Sequence, residues 1–165
     1  MFKVNLTGKL RPYVTAKDVS LEILRILQKN ARLTTKELAA QVHLSTTPVF
    51  ERQKRLERMG YIRKYVAVLD ADKLNRGFVV FCNVKLRRIN REIAQDFIER
   101  IKEVQQVSEC YNISGNFDYM LKIHAPNMSA YQEFILNTLG AIESVGSIES
   151  TFVMSEIKNE CGICI

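Results

Sequence analysis

Ser45-Thr46-Thr47-Pro48-Val49-Phe50-Glu51-Arg52-Gln53-Lys54-Arg55-Leu56-Glu57-Arg58-Met59-Gly60 is the stretch whose periodicity decides the fold. Serine is a strong helix N-cap. With Ser45 in that place Pro48 becomes the third helical residue, where its missing N–H costs no intrahelical bond. The cap bond is then expected at the amide of Thr47. At about 100° per residue, Val49, Leu56 and Met59 share one side of this helix, while Thr47, Glu51, Lys54, Arg55 and Arg58 spread over the other. One side packs and the other is polar and basic. Six Lys and Arg residues lie between positions 52 and 64 against the single acid Glu57, a local excess that suits a polyanion. Gly60 is placed to end the helix in a left-handed turn.

Two further helices are expected upstream. In residues 18–29, Val19, Ile23, Ile26 and Leu27 recur on one side of a helix. Thr34-Thr35-Lys36-Glu37 has capping-box spacing, in which the Thr34 hydroxyl takes the Glu37 amide and the Glu37 carboxylate reaches back. That helix should end near Val42, and His43-Leu44 is a tight connection into the helix opened by Ser45. Three short helices with a tight turn before a basic-faced last one are the parts of a helix-turn-helix. Residues 61–69 read as an extended wing or linking strand.

After a linker at 70–77 the periodicity changes. Phe78, Val80, Cys82, Val84 and Leu86 alternate as a strand; Ile93, Phe97, Ile101 and Val104 mark a helix; residues 107–114 are extended again. A turn at Gly115-Asn116-Phe117 leads to a strand at 118–125. Asn127 is placed to cap a helix carrying Met128, Tyr131, Ile135, Leu139 and Ile142, and a last strand is expected over 147–158. The order β-α-β-β-α-β is the ferredoxin-like plan, with both helices on one face of an antiparallel sheet. Val79, Phe81, Met120 and Val153 fall on the opposite parity, so the uncovered face keeps apolar residues that a second copy could cover. The fold class is therefore α+β: an arm at 1–15, a winged helix-turn-helix at 16–62, a linker strand at 63–77, a ferredoxin-like domain at 78–158 and a tail at 159–165.

Length and charge agree with this division. A chain of 165 residues holds two small domains, and its formal charge of +6 is compatible with a polyanionic partner without demanding one. No apolar run approaches the roughly 20 residues of a membrane span, and residues 1–15 lack the apolar core of a secretory signal, so a cytoplasmic protein is expected. The cysteines at 82, 110, 161 and 164 do not form a disulfide framework. Cys82 and Cys110 read as buried thiols. Cys161-Gly162-Ile163-Cys164 has the spacing of half a zinc site, yet no second pair completes it, so neither metal nor cofactor is expected.

The last helix of a helix-turn-helix enters the major groove with its N-terminal residues near base edges. Thr46, Thr47, Phe50, Glu51 and Lys54 are the candidates for base contacts, since hydroxyls hydrogen-bond, an aromatic ring meets the thymine methyl and a carboxylate accepts from cytosine. Arg52, Arg55 and Arg58 suit phosphates, which position without reading sequence. With Ser45 these nine residues form the expected DNA-binding set; the alternative for the same stripe is a solvated charged face.

The residues from Ser45 to Arg52, with Arg55-Leu56-Glu57-Arg58 and Gly60-Tyr61-Ile62, resemble the recognition segment of the Lrp/AsnC family of feast/famine regulators. Far downstream, Ser114-Gly115-Asn116-Phe117-Asp118-Tyr119 followed by Met128-Ser129-Ala130-Tyr131 is similar to that family's sensing domain. The resemblance spans residues 18–158. It implies a sequence-specific transcription regulator of double-stranded DNA, nucleoid-associated and not an enzyme, that forms homodimers assembling to octamers under an amino-acid effector, leucine by default. It also implies an effector pocket at subunit contacts, built here from Gly115, Asn116, Phe117, Asp118, Met128, Ser150, Thr151, Phe152 and Val153. Within that set Asp118 could pair with an α-ammonium while free backbone N–H groups take the α-carboxylate; the other reading of the turn is a plain hairpin. Asn116 stands where the family commonly has an acid, and Ile148-Glu149-Ser150 where Thr-Arg-Thr is usual. Two alternatives share the scaffold: a sirohaem decarboxylase-like enzyme, for which His43 and His124 are the available imidazoles, and an architectural DNA-binding protein with little sequence preference.

Overall fold

The computed structural model describes residues 3–4, 10–11, 19–159 and 162–165. The chain divides into two compact units, residues 1–67 with 158–165, and residues 68–157. Most of the arm at 1–15 lies outside the described residues, as does Cys161; Lys3–Val4 (β1) and Leu10–Arg11 (β2) pair antiparallel.

The first unit is built on three helices, α1 (Val19–Lys29), α2 (Thr35–Gln41) and α3 (Thr46–Arg58). Ile23, Leu27, Leu38, Ala39, Val49 and Leu56 form its core, with Val42, Tyr61 and Ile62 packed against it. The capping box is present: the Thr34 amide donates to Glu37 Oε2 at 2.7 Å and the Glu37 amide to Thr34 Oγ1 at 3.2 Å. His43 turns the chain between α2 and α3 with φ +54°, a left-handed conformation uncommon outside glycine. Ser45 has the extended backbone of an N-cap, but its side chain makes no cap bond, contrary to the expected bond at Thr47. Met59 is 38% exposed and so does not share the packing side with Val49 and Leu56; it is the C-cap residue, where the chain is already leaving the helix.

Gly60 adopts φ +76° and its amide donates to the Glu57 carbonyl, ending α3 as its position foretold. Residues 61–69, expected as a strand, form none: the Tyr61 and Ile62 amides donate to the Leu56 carbonyl at 3.0 and 3.4 Å, and among the described residues the stretch has no ladder partner, without which extended backbone does not make a sheet. At the other end of the chain the tail lies along α1. The Gln28 amide group bonds both the N–H and the C=O of Ile163, at 3.0 and 2.8 Å, and Arg25 Nε donates to the Ile165 oxygen at 2.7 Å. Gly162 allows this approach, since a Cβ there would stand 2.8 Å from the Gln28 amide.

The second unit is a four-stranded antiparallel sheet in the order β4-β5-β3-β6, from β3 (Phe78–Leu86), β4 (Val107–Asn112), β5 (Tyr119–Ala125) and β6 (Val145–Phe152). The helix α4 (Arg91–Lys102) follows β3, and α5 (Met128–Phe134) continues into a π-helical turn at Ile135–Leu139 after β5. This is the ferredoxin-like order. Val80, Cys82, Val84 and Leu86 alternate inward against Tyr119, Leu121, Ile123 and Ala125, and Phe97, Ile101, Tyr131, Phe134 and Leu139 cover them. Val79, Phe81 and Met120 point the other way and are half-buried.

Several element ends differ from expectation, among them that of β4, which stops at Asn112, and the start of β6, at Val145. Val104 follows the end of α4, and Ile142 lies in the turn after the π segment, so both pack as loop residues. The last strand stops at Phe152 instead of reaching 158: the Val153 amide donates to the Val79 carbonyl, and β3 begins one residue before Val79, so nothing remains to pair with. The sheet also bulges between Lys85 and Leu86. On the other side of β3, beyond its last pair with β5 at Val84 and Tyr119, the Asp118 carboxylate accepts the Leu86 amide at 2.8 Å.

Candidate DNA interface and effector site

The helix α3 turns Val49 and Leu56 into the core, and this anchors everything on its other side. Ser45, Thr46, Thr47, Phe50, Glu51, Lys54, Arg55 and Arg58 are exposed. Arg52 is not with them. It lies near the packing side, half-buried, with Nη1 donating to the Pro48 carbonyl of its own helix at 3.2 Å. Among the described residues, Arg55 and Arg58 have no carboxylate partner.

Lys54 does have one. Its ammonium bonds Glu57 Oε2 at 2.8 Å and stands 5.8 Å from the Phe50 ring centre. The hydrogen bond from Lys54 holds the Glu57 carboxyl below its ordinary value, and the same bond raises Lys54. Both groups are charged at neutral pH. The other Glu57 oxygen accepts from the Tyr65 hydroxyl at 3.0 Å, and that hydroxyl accepts from Gln53 Nε2 at 3.0 Å. Neither Gln53, Glu57 nor Tyr65 was among the residues expected to matter. The spacing of Lys54 and Glu57, i and i+3, could have shown the ion pair; the approach of Tyr65 could not be read, because it depends on the turn at Gly60.

The nine effector candidates fall into two groups. Gly115, Asn116, Phe117 and Asp118 form the turn before β5, with Gly115 at φ +128° and open space where a Cβ would be. One Asp118 oxygen is already committed to Leu86, and Asn112 Nδ2 donates to the Asp118 carbonyl at 3.0 Å. Of the second group only Met128 stands past the other end of β5; Ser150 to Val153, two strands over, run level with Leu121 to His124. Met128, 42% exposed, is the first residue of α5, and the Asn127 side chain caps that helix at the Ala130 amide, 2.9 Å away.

On β6, Ser150 and Phe152 face the helices, and Thr151 faces the opposite side, where it pairs with Phe81. Phe152 packs edge-on to Tyr131 at 5.6 Å and lies 5.8 Å from Phe78. The Tyr131 hydroxyl bonds Ser150 Oγ, and burial pushes Tyr131 up to about 12. Phe78 and Tyr131 thus belong to this cluster although neither was named as a site residue; Tyr131 lay within the motif, but its burial beside β6 is tertiary. The seven residues of β5, about 23 Å of strand, separate the Gly115–Asp118 turn from Met128.

A model described as the Lrp/AsnC ligand binding domain matches residues 79–163, and one described as a winged helix-turn-helix DNA-binding domain matches residues 17–63. The leucine-responsive regulatory proteins of Serratia marcescens and Escherichia coli K12 are each 36% identical over 151 residues, 92% of this chain and 92% of theirs. The chain belongs to the Lrp/AsnC family. It is a transcription regulator with a DNA-binding helix-turn-helix unit and a ligand-binding unit. Two solved Lrp/AsnC-like structures have a TM-score of 0.85 and 34% identity to it. One is a Neisseria meningitidis transcriptional regulator in complex with L-Met, covering 88% of this chain and 94% of its own. The other is an AsnC family transcriptional regulator from Agrobacterium tumefaciens, covering 90% and 96%.

For the decarboxylase-like alternative, the histidines stand in different units: His43 makes the left-handed turn before α3, and His124 Nδ1 is 3.2 Å from the Arg76 carbonyl. Among the described residues no group of three His, Cys, Asp or Glu is arranged to hold a metal ion, and no helix is long and apolar enough to cross a membrane.

Proposed function

We propose that this Lrp/AsnC regulator reads double-stranded DNA with the exposed side of α3 and answers to an amino acid bound where copies of the chain meet. The observation that carries the second half is the separation of the Gly115–Asp118 turn from Met128 along β5. A free amino acid spans well under the length of that strand, so a pocket using both groups takes the Gly115–Asp118 turn from one copy and Met128 with the end of β6 from another. In the sheet, β6 is an edge strand, and its Thr151 and Phe152 are exposed to a second copy.

The half-buried apolar residues of the uncovered sheet face support pairing of two copies, and pockets between pairs support assembly toward octamers. An effector then shifts DNA binding by favouring one assembly over another, because a ligand moves an equilibrium only by its difference in affinity for the two states. The neighbour bound to L-Met and the leucine-responsive relatives make methionine and leucine the first effectors to try. The place of action in this reading is the nucleoid, in the cytoplasm.

Calorimetric titration of the purified protein with the twenty amino acids, with mass measured in parallel, tests this. The expected result is saturable binding of at least one aliphatic amino acid with a change in assembly, lost in Phe152→Ala. Binding that persists unchanged in a variant held as single copies would refute a pocket shared between copies.

A further inference from the structure

Tyr65 belongs to neither the DNA set nor the effector set, yet its hydroxyl sits between two side chains of α3. Gln53 Nε2 donates to it at 3.0 Å, which leaves the phenolic proton to point at Glu57 Oε1, also 3.0 Å away. The remaining Glu57 oxygen holds the Lys54 ammonium at 2.8 Å, and that ammonium lies 5.8 Å from the centre of the Phe50 ring. Four side chains are thereby linked in one direction: Gln53 fixes Tyr65, Tyr65 fixes Glu57, and Glu57 fixes Lys54. Gly60 makes the arrangement possible, since its left-handed turn sends the chain back along the helix it has just left.

An exposed Lys–Glu pair spaced i, i+3 contributes little by itself, because both side chains keep many rotamers. Here the carboxylate is held from outside the helix by an aromatic side chain with two rotatable bonds, so the lysine inherits a fixed partner. Glu57 is also the single acid from 52 to 64. Bonded to Lys54 on one oxygen and to Tyr65 on the other, it is the link by which Tyr65 reaches the lysine.

We propose that Tyr65 is a positioning residue for DNA recognition, which through Gln53 and Glu57 sets where the Lys54 ammonium stands before DNA arrives. The proposal rests on α3 being the helix that meets DNA. Preorganisation improves affinity by reducing the freedom lost on binding, so the effect of Tyr65 passes through Lys54 and nowhere else.

A double-mutant cycle on the full chain reads this directly. Tyr65→Phe, Lys54→Met and the double variant are titrated by anisotropy against a fluorescent duplex that the parent protein has selected from a random library, with thermal melts alongside. Tyr65→Phe is expected to weaken binding three- to tenfold in the parent and by less than 1.5-fold in the Lys54→Met background. Effects that simply multiply, or a Tyr65→Phe variant that binds as the parent does, overturn the proposal even if its melting temperature falls. If Lys54→Met, Arg55→Gln and Arg58→Gln all bind as the parent, the reading of α3 itself fails; if they weaken binding but show no coupling to Tyr65, α3 stands and the role of Tyr65 falls.

Discussion

Neutralising Arg55 and Arg58 tests the DNA-facing reading of α3 at the point where the structure is most exposed. Both are in the last turn of the helix, solvent-exposed, and free of carboxylate partners among the described residues. Their removal to glutamine therefore leaves no buried charge unpaired. The loss in folding is the favourable interaction of two cations with the negative end of the helix, about 0.3–1 kcal/mol each, which a folded unit survives. The effect on DNA is of another kind. Each phosphate contact contributes about 0.9 to the slope of log affinity against log salt, so the double variant should show a slope shallower by about 1.8 for every α3 engaged. Between 50 and 200 mM salt the parent should then lose about tenfold more affinity per α3 than the variant does. Anisotropy titrations at four salt concentrations, with circular dichroism to confirm the fold, give the slopes. A folded Arg55→Gln/Arg58→Gln protein with the parental slope would refute phosphate contact at these positions.

Thr34→Ala should cost about 1 kcal/mol, the usual loss of an N-cap side chain. That loss is of the bond from the Glu37 amide to the Thr34 hydroxyl, which does not titrate. The amide and hydroxyl of Thr34 also hold the Glu37 carboxyl below its ordinary 4.5, a contribution complete above that pH and lost as pH falls through the lower folded value; alanine keeps the amide and removes only the hydroxyl, so melts from pH 7 to pH 3 should show the gap between parent and variant narrowing without closing. Gly60→Ala should destabilise the DNA-binding unit by about 1–2 kcal/mol through the left-handed backbone alone, because nothing lies within 4 Å of the added Cβ; an unchanged melting temperature would contradict the turn. Cys82 is fully buried and burial pushes its thiol up to about 11, so at pH 8 it should stay neutral and unlabelled by a thiol reagent in the native protein and react only in denaturant.

Much of the architecture was legible because it rests on local rules. The capping box at Thr34, the stop at Gly60, and the alternation of Val80, Cys82, Val84 and Leu86 each depend on residues a few positions apart, and each appears where expected. The strand expected at 61–69 was a failure of the same rules: extended propensity needs a neighbour to pair with, and a sequence does not state where one stands. The end of β6 was misread for the same reason, since it is set by where β3 begins.

Taken by itself, the sequence determined which helix side is cationic, the order of the three helices and the β-α-β-β-α-β order that follows them, because periods of 3.6 and 2 and the turn residues between them are written along the chain. Only the tertiary structure decided which of those residues stand together. It moved Arg52 toward the packing side by its angle on α3, brought Tyr65 to Glu57 across eight residues through one glycine, and set the Gly115–Asp118 turn and Met128 at opposite ends of β5. Distances between elements arise from how apolar faces pack, and packing is a property of the whole core that no short stretch of sequence contains.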